Sequence, residues 1–138
     1  MYKSYSYDEL QIGQKASLSK TITDEVNRAF GGEAGESSAI HSDDEFAKNN
    51  MFGGRIAYGM ITGGLIGTVL GNLLPGLNTI YLKQSLEFTA PVYINDTVTV
   101  EVEVLEKLGN NNVRLSTIAR NQHGKVVVKG EAIVKKLN

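Results

Sequence analysis

Cysteine is absent, and with it go disulfides, thiol nucleophiles and thiolate metal sites. The chain also lacks an excess of charge: 14 Lys and Arg stand against 15 Asp and Glu, and no long run carries one sign. Neither nucleic acid nor an anionic membrane is therefore an expected partner, and any bound anion must be captured by local geometry. The opening MYKSYSYDELQIG has no apolar h-region, which with the missing cysteine leads us to expect a cytoplasmic protein. Ser37 and Ser38 lie outside any G-x-S-x-G turn, so a serine nucleophile is not expected. Glu33, Glu36, His41, Asp43 and Asp44 offer metal-ligand atoms, but without a helical histidine pair their spacing fits no tight site, and we expect no metal.

What the sequence does contain is 138 residues, 41% of them hydrophobic, enough for one globular domain spanning 1–138 with a buried core. From Ile56 to Leu82 there are 27 residues without an ionisable acid or base other than tyrosine. Such a run could span a bilayer, which takes about 20 apolar residues, but Pro75, Asn72, Asn78 and its glycines interrupt it. The continuously apolar part, Met60–Leu74, reads instead as a central buried helix. Gly59, Gly63, Gly67 and Gly71, four apart, drift slowly around one face that could approach another backbone closely. Its outer side is too apolar for a lone monomer, and a symmetric dimer is the expected remedy.

Around this helix the pattern is regular. TDEVNRAF, residues 23–30, has a capping threonine and then Val26, Ala29 and Phe30 on one face. GGEAGESSAIHS reads as a polar loop, and Ser42 as the cap of a short helix over DDEFAKNN, whose Asp43, Asp44 and Glu45 are ordinary helix-start charges. ASLSKTIT, the alternating Ile80–Phe88 and Val98–Val104 segments, VRLSTIARN and VVVKGEAIVKKL read as strands. Turns at Gly109–Asn112 and Gln122–Lys125 join consecutive antiparallel strands, and His123 falls in the second as a solvated turn residue. The expected architecture is α+β: an antiparallel sheet of five or six strands against one long helix.

Two places could carry chemistry. Histidine titrates nearest neutral pH, and Glu36 could share acid and base duty with His41, although a loop histidine bonded to a nearby carboxylate fits the same residues. Gly59 opens the buried helix, where unpartnered amides carry partial positive charge and could hold an oxyanion. Helix packing explains that glycine equally well.

These residues resemble the MaoC-like dehydratases, or (R)-specific enoyl-CoA hydratases, a family with the hot-dog fold. The family loop Gly-Asp-x-Asn-Pro-x-His-x-Asp falls without a gap on GESSAIHSD, Gly35–Asp43. The family's Ala or Val, His, Gly, Met, Leu falls on AYGMI, Ala57–Ile61, and PGLNTIYLKQSLEFTAPVYINDTVTVEVEV is similar to its helix end and following strands. The likeness runs from about Thr23 to Lys136. It implies a lyase of fatty acid metabolism, a homodimer or dimer of dimers, which adds water to trans-2-enoyl thioesters of CoA or acyl carrier protein without metal or redox cofactor. By residue, the resemblance makes His41 the catalytic histidine, Glu36 the stand-in for the catalytic aspartate, and Gly59 the oxyanion amide. Ser38 takes the place of the family's Asn, Ala39 its Pro and Tyr58 its His; Ser38, Tyr58 and Arg55 are the expected substrate-binding residues, and Arg55, Lys48 and Lys83 are cations that could meet CoA phosphates. A hot-dog thioesterase and a non-catalytic acyl-thioester-binding module remain the alternatives, because the family's Asp and Asn are replaced.

Overall fold

A computed structural model describes all of residues 1–138. Its strands are β1 (Lys15–Thr21), β2 (Thr79–Gln84), β3 (Glu87–Phe88), β4 (Thr97–Gly109), β5 (Asn112–Arg120) and β6 (Val126–Lys136). They form one antiparallel sheet in the order β1-β4-β5-β6-β2, with β3 also paired to β6. The helices are α1 (Asp24–Ala34), α2 (Ala39–Ser42), α3 (Asp44–Lys48) and α4 (Gly59–Asn72). The sheet curls around α4, the α+β arrangement of a hot-dog fold.

The core follows the period-2 pattern. Val98, Val100, Val102 and Val104 of β4, Val113, Leu115 and Ala119 of β5, and Ala132 and Val134 of β6 are fully buried against Ile66, Val69 and Leu70 of α4. Alternate residues Thr99, Glu101 and Glu103 face the wetter side.

Several local expectations need correction. The first helix continues past Phe30 through Gly31 and Gly32 to Ala34 and stops where Gly35 takes φ 71°. Gly31 belongs in the helix because the Tyr58 ring lies against it, at the place where a side chain would stand. The inward face of α1 carries Asn27 and Gly31 beside Val26 and Phe30, whereas Ala29 points outward. The cap of the third helix is Asp43, which accepts from the Phe46 N–H at 3.1 Å. Ser42 instead closes α2, its hydroxyl donating to Ser37 O and Ser38 O.

The α4 helix has 14 residues, and no helix is long and apolar enough to cross a membrane. Its buried face is Ile61, Thr62, Ile66, Val69 and Leu70; Met60 and Gly64 are exposed. The glycine face meets side chains rather than a backbone within the chain: Phe88 beside Gly59, Leu86 beside Gly63, Tyr81 beside Gly67. The expected single strand over Ile80–Phe88 is two. Around Ser85 the chain turns its carbonyl into the space that a side chain at Gly130 would fill, separating β2 from β3. Because β2 is an edge strand paired only with β6, Ile80, Tyr81 and Leu82 are all exposed rather than alternating.

Candidate active site

The segment from the end of α1 to the start of α4 is tied by backbone bonds to α1, to itself and to the chain between β3 and β4. The Glu36 N–H returns to Gly31 O (2.8 Å), the Ile56 N–H to Ile40 O (3.3 Å) and the Ala57 N–H to Val92 O (2.7 Å). These bonds bring α2, which carries His41, against the first turn of α4. Between them and the sheet lies a cavity of about 300 Å³, lined by His41, Gly59, Met60, Phe88, Pro91 and Val128 among others, most of them apolar. Its size and lining suit a small organic group held among a few polar atoms.

The ring of His41 has a fixed orientation. Its Nδ1 lies 2.8 Å from Ile56 O. A backbone carbonyl can only accept, so Nδ1 carries the proton and neutral His41 keeps Nε2 as a bare base. The Tyr58 ring packs against the imidazole at 4.4 Å between centroids and against Phe30 at 5.5 Å. The Tyr58 hydroxyl donates to Glu36 O at 2.9 Å. Tyr58 is buried, so this tyrosine, expected beside the substrate, forms the wall behind His41 instead.

Gly59 begins α4, no side chain caps that helix, and its N–H finds no acceptor within the chain. First-turn amides in that condition carry partial positive charge. The half-exposed Phe88 ring stands where a Gly59 side chain would be, Cε1 only 2.7 Å from an ideal Cβ, so a side chain there would have to displace the ring over the amide.

The remaining expected residues are placed differently. Glu36 is exposed and turns its carboxylate to the Ser38 N–H (Oε1 at 2.7 Å), at the start of α2; neither it nor Ser38 lines the cavity. Arg55 was expected among the cations for CoA phosphates, but its side chain is only 8% exposed and its charge is already engaged. It donates to Asp24 Oδ1 (2.8 Å), Asp44 Oδ1 (2.7 Å) and His41 O (3.2 Å). The hydrogen bond to Asp24 and the further one to Asp44 push the guanidinium pKa above its ordinary value, while Arg55 in turn holds the Asp24 carboxyl below its own. Lys48 pairs with Glu45 at 2.8 Å on the surface, and Lys83 is exposed on β2. No three carboxylate or imidazole groups gather as a metal ion requires.

Among the buried polar residues, Asn27 was not expected at the site. Asn27, 1% exposed, accepts from the Tyr58 N–H at 3.0 Å and donates to His41 O at 3.1 Å. The available signal was an asparagine one position from Val26 and three from Phe30, on what proves to be the inward side of a helix.

Residues 8–127 match the MaoC like domain family, and the chain belongs to it. It is 39% identical over 128 residues to an (R)-specific enoyl-CoA hydratase of Rhodospirillum rubrum, covering 93% of this chain and 89% of that one. A 3-hydroxybutyryl-CoA dehydratase of Methylorubrum extorquens is 38% identical over 94% of this chain and 82% of its own. Among solved structures, the unliganded R-hydratase PhaJ1 of Pseudomonas aeruginosa superimposes with a TM-score of 0.91 at 44% identity, covering 95% of this chain and 84% of that one.

Proposed function

We propose that this protein is an (R)-specific enoyl-CoA hydratase: a lyase that adds water across trans-2-enoyl-CoA to give the (R)-3-hydroxyacyl-CoA, and runs in reverse as a dehydratase. The observation that carries the reading is one apolar cavity walled by a histidine with a bare Nε2 and by the uncapped start of a helix. The similarity to named hydratases supports the same chemistry.

In the proposed mechanism the Gly59 N–H donates to the thioester oxygen and stabilises negative charge as the enolate forms. A water held by His41 Nε2 and the Glu36 carboxylate gives up a proton as its oxygen bonds to the β-carbon. A proton returned to the α-carbon completes the addition, so no electron carrier or metal enters. In this scheme Glu36 leaves the Ser38 N–H and turns toward His41 when substrate is bound. CoA or acyl carrier protein is the carrier, with Lys48 and Lys83 as the candidate cations for its phosphates.

Loss of conjugated enoyl absorbance with crotonyl-CoA tests the reading. Turnover by the wild type and its loss in His41→Ala are expected. Binding without turnover would make the protein a non-catalytic acyl-thioester module, and thiol release from a saturated acyl-CoA would make it a thioesterase.

The proposal includes a cytoplasmic homodimer in which a second copy covers the open face of α4. Met60 is 53% exposed and Leu82 48%, and the groove between α4 and β2 is lined by Phe30, Gly63, Tyr81 and Leu86. A free sheet edge beside an apolar groove is a surface that soluble chains ordinarily cover. Two dimers could associate further into a tetramer. Light scattering on a size-exclusion column should give twice the mass of 15.0 kDa or more, and Leu82→Lys should shift it toward one.

A further inference from the structure

Asparagine is an unfavourable choice for the inward side of a helix, since its carboxamide loses water on burial and must be paid back in hydrogen bonds. Asn27 sits on α1, outside the cavity, yet each end of its carboxamide holds backbone belonging to a different working group. Its Nδ2 donates to the carbonyl of His41, the residue with the bare ring nitrogen, and its Oδ1 accepts from the N–H of Tyr58, the residue directly before Gly59. The two bonds, 3.1 and 3.0 Å, therefore fix the spacing of α2 relative to the first turn of α4. Arg55 also reaches the His41 carbonyl at 3.2 Å, so that acceptor has a second donor; the buried Tyr58 N–H has none but Asn27 for its acceptor.

We infer that Asn27 is a positioning residue of the hydratase, one that sets the distance between the His41 imidazole and the Gly59 amide through their backbones without touching the substrate. The inference rests on the hydratase reading given above. Tyr58 completes the clamp. Its ring backs the imidazole and its hydroxyl ties down Glu36 O, so the bond from Asn27 to the Tyr58 N–H holds three parts of the site at once. Gly31 makes room for that ring on the same face of α1, one turn along from Asn27.

The test uses Asn27→Leu, of similar size but without either bond, and Asn27→Asp, which keeps the acceptor for Tyr58 and loses the donor to His41. Displacing a reacting group by about 1 Å costs on the order of a hundredfold in rate. For Asn27→Leu, kcat with crotonyl-CoA per folded molecule should therefore fall roughly 10- to 100-fold, with KM held within about twofold. Asn27→Asp should recover part of the loss. A lower melting temperature with wild-type kcat in both variants would make Asn27 a structural residue and overturn the inference. If Asn27→Leu does not fold, Asn27→Asp decides alone: reduced kcat at unchanged KM supports positioning, and wild-type kcat overturns it. The imidazole 15N resonances of His41 give a readout independent of turnover. Should the wild type fail to hydrate crotonyl-CoA, the hydratase reading falls, and these resonances decide about Asn27: displacement in Asn27→Asp upholds the clamp, and no displacement removes it.

Discussion

At the scale of the residue, the site depends on a few atoms whose hydrogen-bond partners define their state. With Nδ1–H committed to Ile56 O, His41 can act only through Nε2. His41→Asn retains a donor for that carbonyl but has no imidazole base. We expect kcat for enoyl hydration to fall at least about a hundredfold while the melting temperature stays near wild type. Glu36→Gln separates acid/base work from the bond that Glu36 makes to the backbone before α2, because an amide oxygen can still accept from the Ser38 N–H. A fall of about a hundredfold or more is expected, and one under threefold would confine Glu36 to that bond. Asp24 gives a pH signature. Its carboxyl pKa is held below the ordinary 3.8, chiefly by the hydrogen bond from Arg55, so its contribution is present above that value and is lost as pH falls through and below it. Asp24 is 42% exposed, so solvent screens the pair, and Asp24→Asn should cost about 1 kcal/mol or less near neutrality. In urea titrations the gap between wild type and variant should close below about pH 4.

At the scale of the element, the docking of α1 on the start of α4 requires Gly31. A methyl there would lie 2.6 Å from the Tyr58 hydroxyl oxygen and 2.8–2.9 Å from ring carbons that are themselves packed between Phe30 and His41. Gly31→Ala should cost about 1–3 kcal/mol by overpacking, seen as a melting temperature lower by roughly 3–10 °C, despite the better helix propensity of alanine. Gly59→Ala differs, because the methyl would meet only the half-exposed Phe88 ring, which can swing aside. Stability should change by less than about 1 kcal/mol, whereas kcat/KM should fall through loss of access to the Gly59 amide. How much of these elements was legible varies with the source of the constraint. The β4 alternation of Val98 to Val104 could be read directly, because each burial there repeats every second residue. The end of α1 could not, because two glycines signal a loop locally and only Tyr58, 27 residues on, supplies the packing that keeps Gly31 helical.

At the scale of the whole molecule, the curled sheet encloses one side of α4 and leaves the other open along β2. If a second copy covers that side as proposed, folding and association are linked. The melting temperature should then rise with protein concentration, and Leu82→Lys should remove the dependence. The sequence by itself determined the long buried helix, the alternation that buries the core, and the pairing of GESSAIHSD with AYGMI on which the family likeness rests. Those are local patterns, set by residue type and spacing along the chain. Only the tertiary structure decided that His41 and Gly59 share a cavity, that Glu36 turns to the Ser38 N–H, that Arg55 is spent on Asp24 and Asp44, and that Asn27 joins the two halves of the site. The reason is physical: a side chain's partner is set by which backbones the fold brings within 3 Å or so, and spacing in a loop fixes no direction in space.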